Sequence, residues 1–315
     1  GFSACVVIVP IVCLIIPNGS KVFVKSGETD TPMIASEYFW VAVLTAVLGC
    51  ALFALIPLIN KERVVNASAE KVTAKDMLNA LKNNKPFMLV IISYFLGFGR
   101  QMAMGIQVQA ATVILGSQNL VAVLGIVTAI GSMISMALCP LLIKKMNERN
   151  AYILLSVYGF AASIFSFVIG YFWFNNPSNM VLTVLFYASL FLIGLQFGAV
   201  TLMPMIMTAD AVDYYEHKTG KRMEGACYSI LTLTIKVCLA LGTAVGLIFV
   251  QKSGYYESLG TGDFTNSTKN VIFFAYTALP GILALLSIIP MFKYDIVGDK
   301  KAKISTELAA RRAAE

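Results

Sequence analysis

Eight stretches of mostly apolar residues dominate this sequence, and each is about as long as a helix must be, roughly 20 residues, to cross the hydrocarbon core of a bilayer. They run approximately over 1–17, 38–59, 87–115, 120–143, 151–174, 180–207, 225–250 and 271–292. Membrane β-strands would be about ten residues long and would alternate in polarity. Runs such as Val41-Ala42-Val43-Leu44 do not alternate, so the segments are predicted to be transmembrane helices. Composition excludes a soluble domain on its own account: 58% of the 315 residues are hydrophobic and only 13% are charged, against about 25% charged in an average soluble chain.

The cysteines, Cys5, Cys13, Cys50, Cys139, Cys227 and Cys238, are too few for a disulfide scaffold. Lying in or beside apolar runs, they are expected to be buried thiols. Gly1 already stands inside an apolar run, with no initiator Met and no basic segment before it. The sequence therefore reads as a piece lacking an N-terminal part, not as one opening on a signal peptide.

The net charge of +7 is informative only loop by loop. Of the 24 Lys and Arg, eighteen fall in 60–86, 144–150, 208–224 and 293–315, whereas the alternate connections hold only Lys21, Lys25, Lys252 and Lys269. Basic loops stay on the cytoplasmic side, so the linker 60–86 and the C-terminus are predicted to be cytoplasmic in a multi-pass protein of the cell (plasma or inner) membrane. Nothing in this pattern calls for nucleic acid; the surroundings are a lipid bilayer. The two cations left, Arg100 and Lys236, lie inside predicted spans, and all 17 acids fall in loops or the tail.

Residues 60–86 form a long, charge-mixed seam that divides two helices from a block of six. Six-helix halves joined by such a linker are the architecture of major-facilitator transporters, whose substrate site lies near the midplane between the halves. The predicted layout is 1–59, the last two helices of an N-terminal half; 60–86, the interdomain linker; 87–292, a C-terminal six-helix half; and 293–315, a tail. The fold class is all-α, polytopic and N-terminally truncated.

Lys236 is near the middle of its span, about 16 Å from either end at 1.5 Å per residue, farther than a lysine stem of about 6 Å can snorkel. Such a cation costs at least about 2.5–3.5 kcal/mol at a helix centre, so it should face water or an anion. Helical spacing puts Gly225, Ser229, Thr232, Lys236 and Thr243 on one face, with Tyr228 beside it. A structural ion pair with an acid elsewhere competes with a place in the translocation pathway. Arg100 is similarly deep, preceded by Gly97-Phe98-Gly99 and followed by Gln101. The glycines permit a bend or a close helix contact that would aim the guanidinium into a cavity; pairing with backbone carbonyls is the alternative.

The loop expected after the sixth span reads TADAVDYYEHKTGKRMEG over Thr208 to Gly225. Its lone His217 has no cysteine near it, and its acids lack the spacing of a calcium loop, so no metal site is predicted. Together with Lys236 it closely resembles the signature of the glycoside-pentoside-hexuronide:cation symporters, the melibiose-permease-like branch of the major facilitator superfamily. Asp210, Asp213, Tyr214, Glu216, Lys218, Thr219, Gly220, Arg222, Glu224 and Gly225 occupy that family's D-x-x-D-Y-x-E-x-K-T-G-x-R-x-E-G, and Lys236 its helix-eleven lysine. Gly1-Phe2 through Pro10 is similar to the family's helix five, Pro140 to Arg149 to its basic loop between helices eight and nine, and Ile304 to Arg312 to its helical tail. The resemblance thus covers helices five to twelve.

It implies a secondary active transporter that carries sugar with Na+, H+ or Li+ by alternating access. The cation would be held mainly by aspartates on helices two and four, which precede this sequence, and no cofactor is implied. Lys236 and Thr232 match positions lining the sugar cavity, with Tyr228 and Arg100 as further candidates. Thr201 stands where melibiose permease has a tryptophan, a departure that argues against melibiose. Asp210, Asp213, Tyr214, Glu216, Lys218, Gly220, Arg222 and Glu224 resemble a cytoplasmic gate of interdomain pairs. The implied protein is a monomeric transporter, not an enzyme: the spans hold no Asp, Glu or His for catalysis. A sugar sensor or scaffold that kept the fold, or a major-facilitator transporter of a non-sugar solute, is the competing reading.

Overall fold

A computed structural model of the chain describes residues 81–116, 120–258 and 263–314, with seven helical positions between 43 and 54. It divides into two units, Gly1–Val72 and Thr73–Glu315. In the first, residues 43, 46, 47, 49, 50, 51 and 54 are helical, within the predicted span 38–59. The predicted span 1–17 and most of the linker lie outside the described residues. In the second unit all described regular structure is helical.

The first predicted span of that unit, 87–115, is three helices: α1 (Lys85–Leu96), α2 (Gly99–Gly105) and α3 (Gln107–Leu115). α1 starts where it does because the Asn84 side chain accepts a hydrogen bond from the Phe87 amide and Pro86 stands in the first turn. Asn84 Nδ2 also donates to Ala211 O at 2.8 Å, tying this cap to a helix far along the chain. α1 and α2 meet at 42°. The glycines at the break serve a close contact as well, since a Cβ at Gly99 would lie 2.6 Å from Pro280 Cα.

α4 (Val121–Met146) and α5 (Glu148–Asn175) are separated by Asn147 alone, at φ 66°. The predicted loop 144–150 is thereby corrected. Lys144 and Lys145 suit the C-terminal end of one helix dipole and Glu148 the N-terminal end of the next, so these charges extend the helices they were expected to end. α6 (Met180–Thr219) is 40 residues long and stops at Gly220, at φ 71°. This corrects the expectation of a loop from Thr208: none of the charged residues of 208–219 breaks a helix, and His217 and Lys218 suit its last turn. α7 (Glu224–Lys252) and the single turn α8 (Tyr255–Ser258) follow. The last predicted span, 271–292, is α9 (Asn266–Phe273), a π-helical turn (Phe274–Ala278), α10 (Leu279–Leu286) and α11 (Ile288–Met291). Pro280, which has no amide to donate, stands in the first turn of α10, with Leu279 between it and the end of the π turn. A tail helix, α12 (Gly298–Ala314), ends the described chain.

Small residues let the helices approach, as membrane packing requires. On α6, Gly194 and Gly198 press on α4, where added Cβ atoms would lie 2.3 Å from Thr128 O and 2.0 Å from Ser132 O. On α7, Gly242 and Gly246 do the same against Met102 and Ile106. Phe174, Phe186 and Phe273 fill one core cluster with Trp173 stacked on Phe186 at 4.5 Å. Large apolar residues such as Leu141, Val181 and Ile289 are exposed, as lipid-facing positions should be. Cys139, Cys227 and Cys238 are buried free thiols, whereas Cys50, in the first unit, is exposed and departs from the expectation.

Candidate functional site

The glycine contacts fix the register of α2 and α7. Gly242 faces Met102 and Gly246 faces Ile106, so the helices run parallel with α7 numbers about 140 ahead. Arg100 is therefore level with residue 240 or so, about four residues, or roughly 6 Å, above Lys236. The two cations lie one turn apart in depth.

Their surroundings differ. On α7, Gly225, Ser229, Thr232 and Lys236 are all exposed on the surface of this unit. Lys236 makes no hydrogen bond or ion pair among the described residues. Thr232 Oγ1 donates to Tyr228 O at 2.8 Å, and Tyr228 Oη to Met205 O at 3.2 Å. Exposed Thr201 donates to Phe197 O at 2.5 Å. Thr243 does not belong with this face: it packs against Gly105, whose added Cβ would lie 2.8 Å from Thr243 Cα. Seven residues from Lys236 it has turned about 20° toward α2, and the small glycine there draws it into the seam.

Arg100 is half-buried. Its Nη2 donates to Tyr94 Oη at 2.9 Å, its Cζ lies 5.4 Å from the Tyr94 ring centroid, and Gln101 Nε2 donates to the same hydroxyl at 2.7 Å. Arg100 lines a cavity of about 20 Å3 with Tyr94, Tyr152, Gln196 and Ser287, room for about one water. Behind it, Ser93 Oγ donates to Ser287 O at 2.6 Å, and Tyr152 Oη to Ser287 Oγ at 3.0 Å. No carboxylate forms an ion pair with Arg100 or Lys236 among the described residues. This polar network escapes sequence reasoning because Ser93 and Ser287 are 194 residues apart.

Charges gather instead at the end of the bundle where α6 stops. Arg222 Nη1 donates to Asp213 at 3.1 Å and to Glu216 at 2.7 Å, and its Nη2 to Glu224 at 2.9 Å. Burial of this guanidinium works against its charge, but the hydrogen bonds it donates to Glu216 and Glu224 outweigh that and raise its pKa above the ordinary value. Lys218 donates to Asn83 O at 3.5 Å, and Lys300 lies over the Tyr214 ring at 5.5 Å. Asp210 accepts from Lys301 of α12 at 2.8 Å, and Lys301 also donates to Glu148 at 2.5 Å. These described partners belong to the same unit, where α12 folds back onto α6. The expected gate residues are thus brought together around the α6 terminus, with Gly220 as its cap. Sequence reasoning missed Lys301 and Glu148. Ile304 and Leu308, apolar at i and i+4 in a polar tail, were the available signal.

A family model described as MFS/sugar transport protein matches residues 1–298. The chain belongs to that family. Its all-α, polytopic membrane fold is the one expected from the sequence, and this major-facilitator family is one of transporters, not enzymes. Among curated relatives, the chain is 28% identical over 305 residues to an isoprimeverose transporter of Lactiplantibacillus pentosus, covering 92% of this chain and 57% of the relative. It is 25% identical over 306 residues to a glucuronide carrier protein homolog of Escherichia coli K12, covering 96% of this chain and 63% of the relative. It is also 25% identical over 237 residues to a putative sulfoquinovose importer of the same organism, covering 74% and 48%. The chain thus spans less than two thirds of the length of each of these relatives.

Proposed function

We propose that this chain forms helices five to twelve of a secondary active transporter that moves a sugar together with a cation, Na+, H+ or Li+, by alternating access. In this reading 1–59 closes an N-terminal half, 60–86 links the halves on the cytoplasmic side, 87–292 is the C-terminal half, and 293–315 is a cytoplasmic tail. The sugar site is the α7 face around Lys236, with Thr232, Tyr228, Thr201 and Arg100 as further contacts.

One observation carries the reading. Lys236 is exposed on a polar face of a helix otherwise apolar enough to span a bilayer, with no counter-ion among the described residues. Left toward lipid, such a charge is expensive; toward a water-filled cavity it is a donor available to sugar hydroxyls. The residues from Asp210 to Glu224 act as the gate at the cytoplasmic end and do not touch sugar. The names of the relatives, which include isoprimeverose and glucuronide carriers, support a sugar or sugar acid as solute.

The experiment is uptake of labelled glycosides by vesicles holding the full-length protein, with and without a Na+ or proton gradient. Gradient-driven accumulation supports symport. Sugar binding without net movement would favour a sensor, and uptake blind to both gradients would remove the coupling. Unlabelled glucuronides and neutral glycosides, competing in wild type and in Arg100→Gln, decide whether Arg100 meets a carboxylate. Selective loss of the acidic sugar in the variant would show that it does.

A further inference from the structure

The tail helix α12 is docked, not merely attached. Ile304 and Leu308 are 6% and 3% exposed and join the core cluster of Met203, Met207, Tyr294 and Ile296. Lys301, one turn before Ile304, lies on the same face and reaches two carboxylates on two other helices. These are Glu148 at the start of α5 and Asp210 on α6, whose side chains are 7% and 11% exposed. A turn further along, Glu307 meets His217 at 2.5 Å, and Arg311 Nη1 donates to His217 O at 3.3 Å. One ammonium shared by two nearly buried carboxylates leaves a negative charge incompletely balanced. The nearby Arg149 does not supply the rest, because it donates to Tyr294 O at 3.3 Å. The Tyr294 hydroxyl is fully buried and has no hydrogen-bond partner among the described residues. Leaving such a donor idle is unfavourable in a buried setting. Two under-balanced acceptors and an idle donor in one cluster mark an arrangement suited to exchanging partners.

We propose that Lys301 is a positioning residue that holds the gate aspartate Asp210 within its own bundle, so that docking of the tail competes with closure of the cytoplasmic gate. With α12 docked, Asp210 already has a cation; with α12 released, Asp210 is free to take one from the opposing half. The inference rests on the gate reading of Asp210 to Glu224. It adds a control on that gate from the far end of the chain.

The test uses the full-length transporter in inverted vesicles, with the native cysteines replaced and a reporter Ser229→Cys on the exposed face of α7. A membrane-impermeant thiol reagent then reads how often the cavity is open to the cytoplasmic side. Lys301→Met is expected to lower the labelling rate about fivefold, the scale of losing one ion-pair competitor, and Lys301→Arg to preserve it. Ile304→Ser, which loosens the tail and keeps every charge, should lower labelling in the same direction. In an Asp210→Asn background Lys301→Met should have no further effect, whereas a merely structural lysine would act additively. Asp213→Asn separates the two readings, because a gate that closes through the acids of α6 must open and label faster when one of them is neutral. If Asp213→Asn raises labelling while Lys301→Met and Ile304→Ser leave it unchanged, the tail inference is overturned and the gate stands. If Asp213→Asn also changes nothing, the gate reading falls and takes this inference with it.

Discussion

The middle of α7 and the end of α6 treat the same chemical group in opposite ways. At the α6 terminus Arg222 has three carboxylate partners and Lys301 has two. In mid-span Lys236 has none among the described residues, and Arg100 has only neutral Tyr94 and its ring. Near water an unpaired lysine costs little and a salt bridge gains little, so dense pairing there points to a geometry being held. In the span the costs are reversed, and a bare ammonium there points to a partner that comes and goes. Under the function proposed above, the contrast separates a face that receives a solute from a cluster that acts as a gate.

The contrast is most exposed to a change at Lys236. Lys236→Ala in the full-length protein is expected to abolish sugar accumulation with expression intact, and Lys236→Arg to do little better, because a planar fork does not replace a compact ammonium. Near-normal coupled uptake by the alanine variant would end the assignment. A packing control comes next in size. Gly198→Ala, forced against Ser132 O, is expected to destabilise the bundle by about 1–3 kcal/mol, whereas Gly225→Ala, with open space around it, should stay within about 0.5 kcal/mol. Thermal unfolding in detergent measures both, and equal losses would mean that the α4–α6 seam is looser than described.

Smaller effects are expected at the charged end. Arg222→Gln or Asp213→Asn should slow net transport several-fold while equilibrium sugar binding, measured by calorimetry, is retained. Lost binding in a folded variant would merge the two regions that the comparison separates. The smallest effect concerns pH. The hydrogen bond from His217, helped by Lys303 and Arg311, holds the Glu307 carboxyl below its ordinary value of 4.5. A depressed acid contributes above its unfolded pKa and loses that contribution as pH falls through the lowered one. Amide-exchange protection of 298–314 should therefore decline as pH falls below about 4.5. Glu307→Gln should remove that acid limb, and an unchanged profile would mean that this pair does not hold the tail.

The spans of the second unit were legible in the sequence because bilayer thickness sets a length that apolar runs reveal directly. The break at Gly97-Phe98-Gly99 was legible as one of the two uses expected of glycines in an apolar helix, a bend or a close contact. The extent of α6 was not: charge reads as the end of a helix, but only Gly220 ends it, since none of the acids and bases of 208–219 is a helix breaker and Glu216 and Lys218 are good helix formers. Of the candidate site, Lys236 and Arg100 announced themselves by their depth. The Tyr94, Tyr152 and Ser287 network did not, since serines and tyrosines in spans carry no periodic mark and their pairing is decided by which helices become neighbours. Thr243 shows the same limit in reverse, being on the right face by number and in the packing seam by contact.

The 40-residue length of α6 also has a mechanical side. At 1.5 Å per residue the helix is about 60 Å long, twice the thickness of the hydrocarbon core, with Pro204 inside it. Its apolar part, 180–207, is centred near residue 194, so Thr219 lies about 38 Å from the pivot. A tilt of about 10° there would carry the tip about 6–7 Å, more than the reach of any salt bridge at its end. The membrane-embedded portion needs to move little, and the bonds of Asp213, Glu216 and Asp210 sit on the long arm of a lever, where a small rotation is converted into a complete change of neighbours.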